Sequence, residues 1–146
     1  MRISAGLLLL AACATAPPPP EAHSDACADY GAAVQAPLAR MAQAADRYSD
    51  RMAQGPDVAA RAGREFASSL DVERRRLAAV TPRRGEIAEA HDQMLAAVDG
   101  LATAIRFLSD ALAFHDETRR EPARARLKAA ELRWKVAVDE MRRACP

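Results

Sequence analysis

Between Ile87 and His115 one residue in every third or fourth belongs to a single stripe, and that run restricts this chain to helices packed on helices. The stripe alternates steps of four and three and reads Ile87, His91, Met94, Val98, Leu101, Ile105, Leu108, Leu112 and His115. Residues so spaced fall on one face of an α-helix, and a sustained seam of this kind seats the helix in a bundle. Two other stretches repeat it. One reads Cys27, Tyr30, Val34, Leu38, Met41, Ala45, Tyr48 and Met52; the other reads Leu127, Ala130, Trp134, Val138, Met141 and Cys145. A weaker stripe of Val58, Ala62, Phe66, Leu70, Leu77 and Val80 lies between them, interrupted by Glu73.

Punctuation divides these stripes into four helices. Gly55-Pro56 is a helix-stop pair, so the first helix is expected from about Asp25 to Ala53. Asp57 suits the start of the second, which ends before Thr81-Pro82; that pair fits the N-cap and first position of the third. The third should continue to about Asp116, after which Thr118-Arg119-Arg120-Glu121 has the capping-box form, with Pro122 in the first turn of the fourth. Pro37 falls inside the first helix, where a proline costs ~3 kcal/mol unless a bend accommodates it. Short connections favour antiparallel neighbours. The expected fold is all-α, an antiparallel up-down-up-down four-helix bundle over residues 26–146.

The N-terminus carries a separate message. Arg2 precedes the apolar run from Ile3 to Ala12, which ends in Leu10-Ala11-Ala12-Cys13. The run has the length of a signal peptide rather than a membrane span, which needs about 20 residues. Leu10 to Cys13 resembles the lipobox of bacterial lipoproteins. That resemblance implies removal of residues 1–12, a diacylglycerol thioether on Cys13 and usually a further acyl chain on its amine. Two or more chains anchor a protein stably where one holds it only marginally. Ala14, standing where an aspartate is associated with inner-membrane retention, implies a lipid anchor in the outer membrane, facing the periplasm. The competing reading is a secreted or soluble periplasmic protein cut after Ala14-Thr15-Ala16, although Pro17 then follows the cut and generally blocks that peptidase. Residues 13–25 read as the lipidated cysteine and a Pro-rich stalk, with Pro17 to Pro20 favouring extended polyproline II.

With Cys13 acylated, Cys27 and Cys145 remain for an oxidising compartment. One opens the first helix and the other closes the last, both on apolar stripes. An even number of antiparallel rods brings these ends together, so a disulfide is expected to join the first and fourth helices as neighbours. On the chain-entropy argument, closing a loop of this length stabilises by about 4–5 kcal/mol.

Composition narrows the chemistry. The chain has 21 basic and 20 acidic residues, and loss of Arg2 with the leader leaves them balanced. That argues against a nucleic-acid partner, which calls for a basic excess. Aromatic content of 4% leaves the core to Leu, Val, Ile, Met and Ala. His91 and His115 stand ~36 Å apart on one helix and cannot share a metal. A His/Met haem or copper site built on His91 and Met94 with Met41 or Met52 is conceivable in a bundle core, yet no C-x-x-C-H occurs, and seam methionines generally fill gaps. Ser68, Ser69 and Ser109 lie in helices with no local histidine, and no G-x-S-x-G, H-E-x-x-H or Gly-rich phosphate loop is present. The carboxylates read as solvated faces, with Glu131 and Lys135 in the favourable i,i+4 order. Neither catalysis nor a cofactor is expected.

Two surface features remain. Arg83 and Arg84 open the third helix, where the helix dipole disfavours cations, at the end that carries the tether; contact with anionic headgroups is one explanation. Phe107, Ala111 and Phe114 form a second stripe beside the third-helix seam, which marks either deeper burial or a partner patch. The functional expectation is a membrane-anchored envelope lipoprotein acting as a non-catalytic structural, adaptor or inhibitory module, with an envelope protein as partner. The alternative is a periplasmic bundle binding a small ligand, metal or haem.

Overall fold

A computed structural model describes residues 20–146, with side chains from residue 24 onward; Cys13, the leader and the first prolines lie outside the described residues. Four helices follow one another: α1 Pro20–Met52, α2 Pro56–Ala78, α3 Gly85–Ala113 and α4 Glu117–Ala144. Ion pairs between successive helices show their directions. Arg40 meets Glu73 and Arg51 meets Glu65, so rising numbers on α1 meet falling numbers on α2. Arg64–Asp110, Arg106–Asp71 and Arg74–Asp99 do the same for α2 and α3. Arg126 over the Phe107 ring, and Arg133 beside Gly100, do so for α4 and α3. This is the antiparallel four-helix bundle expected from the sequence.

Alanine sets the packing of α3 against α4. α3 buries Ala90, Ala97, Ala104 and Ala111, and α4 buries Ala123, Ala130 and Ala137, each seven residues from the last. The antiparallel register brings Ala97 level with Ala137, Ala104 with Ala130 and Ala111 with Ala123. A methyl facing a methyl lets two helices approach more closely than leucine would, and the backbones of α3 and α4 have the most extensive close approach in the fold. The larger apolar residues of α3 (Ile87, Met94, Val98, Ile105 and Leu108) turn instead to the bundle interior. Gly63 plays the same part between α2 and α3. A Cβ there would collide with the Oγ of Ser109, which is buried and donates to the Ile105 carbonyl at 2.8 Å.

Cys27 and Cys145 form the expected disulfide, with Cα atoms 5.5 Å apart. Its neighbourhood differs from expectation. The α1 and α4 backbones have no extended close approach, and Tyr48, Leu127, Trp134 and Met141 stand half-buried against the core cluster on this side. The disulfide therefore joins two helices whose backbones remain apart along most of their length.

Several boundaries also differ. α1 begins at Pro20, so the last proline of the run is helical rather than extended. Proline is tolerated at a first helical position because its missing N–H has no intrahelical acceptor there. α1 then continues unbroken through Pro37, which is buried on the core face. The inward register is Tyr30, Val34, Pro37, Met41 and Ala44, one residue from the expected Leu38 and Ala45 in its middle. Thr81-Pro82 does not open α3. Residues 81–84 cross between helices, and the hydrogen-bond ladder begins where the extended Arg84 accepts from the amide of Ala88.

α3 stops at Ala113, short of Asp116, because His115 turns into the left-handed region at φ 51°. The amide of His115 donates to Leu112 and that of Asp116 to Ala111, a Schellman closure with histidine where glycine is usual. Asp116 then caps α4, accepting from the amides of Thr118 and Arg119 at 3.1 and 3.2 Å; the expected Thr118 cap is displaced by two residues. Hydrogen bonding from Thr118 holds the Asp116 carboxyl below the ordinary carboxylate range.

Replacing Ala104 by leucine forces extra methylenes between α3 and α4 and should destabilise the fold by about 1–3 kcal/mol. Leucine at the exposed Ala36 should change stability by less than about 0.5 kcal/mol. Urea midpoints of the two variants, at constant m-value, check this.

Candidate interaction surface

The stripe of Phe107, Ala111 and Phe114 does not form one patch. Ala111 is buried in the small cluster of Ala59, Ala60, Leu108, Leu112 and Ala123 at the end away from the disulfide. Phe107 is half-buried against that cluster with Arg126 stacked 4.2 Å from its ring centroid. Phe114 lies just past the end of α3 and is 77% exposed. Only the two phenylalanines reach the surface, and the left-handed turn at His115 separates Phe114 from the helix face.

Sequence reasoning missed the neighbouring surface. Leu132 and Val136 on α4 are 63% and 50% exposed. With Ala125 and Ala129, also exposed, they make a stripe at steps of four, three and four on the side opposite Leu127, Trp134 and Met141. The spacing was visible in the chain, masked by the stronger Leu127, Trp134 and Met141 stripe. Beside it, α3 presents Ala96, Gly100 and Thr103, all small, and a shallow groove between the helices is made of two hollows, one at Gln93 to Ala97 and one at Asp99 to Asp110, that share Arg133. Ala97, Ala104, Ala130 and Ala137 lie along its bottom.

Charge divides across this groove. α4 holds nine basic and five acidic residues, α3 one basic and five acidic. Asp99 and Asp110 on the α3 side pair with Arg74 and Arg64 of α2 at 3.1 and 3.6 Å. On α4, Arg142 and Arg143 pair with Asp139 and Glu140 at 3.3 and 2.7 Å. Among the described residues no carboxylate lies within ion-pair reach of Arg126, Lys128, Arg133 or Lys135, so the anticipated Glu131–Lys135 pair is not made.

At the disulfide end, Arg83 projects into solvent with a 3.1 Å ion pair to Asp29, and Arg84 is the extended residue that precedes α3. Arg74 and Arg76 also meet carboxylates, those of Asp99 in the middle of α3 and of Glu73. Glu73, expected to break the α2 stripe, lies on it and is only 5% exposed. One of its oxygens accepts from Arg40 at 2.9 Å and from Arg76 as well. Leu70 and Leu77 flank it, and the long arginine stems carry their charge in from outside.

The histidines part company. His115 has left the seam for the surface turn, 3.5 Å from Asp57. His91 stays on it, 3% exposed, with Nδ1 2.9 Å from the Tyr30 hydroxyl and the rings edge to face. Burial holds the imidazole below its ordinary pKa, against a smaller opposing effect of Asp92, and pushes the Tyr30 phenol up to about 12. Both groups are therefore neutral at pH 7, and with the ring proton on Nε2 the phenol donates to Nδ1. Met41 and Met94 are buried in the same core cluster. Among the described residues no three His, Cys, Asp or Glu side chains come together as a metal site, and no helix is long and apolar enough to cross a membrane. No protein family, curated protein or solved structure matches this chain.

The depressed pKa of His91 has a defined consequence. The unfolded chain takes up its proton near pH 6.5 while the folded chain resists it, so this contribution is complete above that pH and lost as pH falls below it. Unfolding free energy measured by urea titration should drop between pH 7 and 5 in the native chain. The His91→Gln variant should show a flatter profile over the same window; equal slopes would remove His91 as the cause.

Proposed function

We propose that this chain is a lipid-anchored lipoprotein of the bacterial cell envelope, held through Cys13 in the outer membrane and facing the periplasm. Its helical domain acts there as a non-catalytic interaction module of structural, adaptor or inhibitory kind. The observation that carries the reading is Leu10-Ala11-Ala12-Cys13 at the end of an apolar run, with its resemblance to a lipobox. Two features of the domain support it. The Cys27–Cys145 disulfide suits an oxidising compartment, and it closes the end from which the chain leads back toward Cys13. Two of the domain's exposed large apolar residues, Leu132 and Val136, stand beside a groove between two helices.

The test begins with the whole chain made with its own leader in a Gram-negative host. Intact-mass and peptide analysis should show Cys13 as the first residue, bearing a diacylglycerol thioether. Cys13→Ala should abolish labelling by palmitate and release the protein from the membrane fraction. An unmodified Cys13, or cleavage after Ala16, would overturn the anchor. A Soret band or stoichiometric copper in the purified protein would overturn the interaction module in favour of a cofactor-carrying bundle.

A further inference from the structure

We infer that the groove between α3 and α4 is a docking site for an acidic amphipathic helix of a partner protein, held by Leu132 and Val136 and by the cations that rim them. The inference rests on the interaction-module reading and names the partner's chemistry.

Shape comes first. The groove is made of two hollows that share Arg133 and together span Gln93 to Asp110, about 25 Å at 1.5 Å per residue, the length of nearly five turns of helix. The α3 side offers Ala96, Gly100 and Thr103, which let another helix come close, while Leu132 and Val136 stand on the α4 side with half or more of their surface in water. A helix with apolar residues at spacings of three and four would cover both.

Charge selects among occupants. Arg126 and Arg133 reach over the groove, and Lys128 and Lys135 lie on the same helix, none with a carboxylate in ion-pair reach among the described residues. Four cations beside an exposed apolar stripe call for an apolar face with carboxylates along its edge. A second copy with its two-fold axis across the helices would set basic α4 against basic α4; with the axis along the helices it would set α4 over acidic α3, and the oligomeric state of the chain separates that case from a partner helix. An anionic bilayer fits less well than a helix, because the small residues form a hollow where a flat surface needs a ridge.

The experiment uses the full disulfide-bonded chain in detergent micelles. The probe is a designed helix of about 18 residues with leucines on one face and glutamates along one edge. A control helix carries lysines in place of the glutamates, and phosphatidylglycerol vesicles form a third arm. The glutamate helix should bind, less tightly as salt rises, and at least about tenfold more tightly than the lysine helix. Arg126→Glu combined with Arg133→Glu, and separately Leu132→Asp, should each weaken binding about tenfold; Leu132→Asp should leave Tm unchanged, and the double variant should lower it by no more than a few degrees, the share of Arg126 stacked on Phe107. Equal binding of the two helices, or indifference to these variants, overturns the proposal. So does preferential vesicle binding through the same residues, or a dimer of the chain that Leu132→Asp dissociates. If Cys13 is acylated and crosslinkers placed on other faces identify an envelope partner, the broader reading stands and only the groove assignment falls.

Discussion

Close contact between α3 and α4 depends on one constraint: alanine at every seventh residue of both helices, in register. Each methyl buries little area, so at roughly 25 cal/mol per Å² its burial contributes little stability. What the seam supplies is proximity. With α4 drawn in on one side and α2 on the other, around Gly63 and Ser109, α3 becomes the central rod. Its leucines, isoleucines and valines then fill the interior. The same economy leaves the surface above the seam without bulk, and a groove lined by Ala96, Gly100 and Thr103 is the result.

The opposite seam is built differently. The α1 and α4 backbones stay apart, with Trp134 and Met141 half-buried against the core and Tyr48 of α1 stacked on Phe66 of α2 at 5.2 Å between ring centroids. The disulfide lies at one end of this wider seam, where backbone packing contributes least. A crosslink there restrains the denatured chain through its long loop while asking little of the native packing around it. Tyr30 and His91 lie nearby, one helical turn from Cys27, sharing a neutral hydrogen bond that joins α1 to α3. The far end has neither device. There a small cluster of alanines and leucines and the Schellman turn at His115 close the bundle, and Phe114 is left in water.

Much of this was legible from residue type and spacing. The α3 seam from Ile87 to Leu112, the stop at Gly55-Pro56 and the meeting of Cys27 with Cys145 all follow from periodicity and parity. The candidate surface was legible only in part. Phe107 reaches the surface as its position implied, but Ala111 is core and Phe114 belongs to a turn. The four and three spacing of Ala125, Ala129, Leu132 and Val136 was present, yet spacing alone does not say which of two stripes on one helix faces inward.

Local pattern determined the number of helices, their order, their antiparallel directions and the disulfide, because periodicity and chain parity are properties of sequence alone. Tertiary structure decided whatever depended on a neighbour. Glu73 can be buried because Arg40 arrives from α1, and Pro37 can face the core because α1 continues past it. His115 leaves the seam because carbonyls at the end of α3 need donors, a demand met by a left-handed turn that no glycine announces. Which face of α4 stays in water was settled in the same way: the small residues went to α3 and the large ones to the interior, leaving Leu132 and Val136 uncovered.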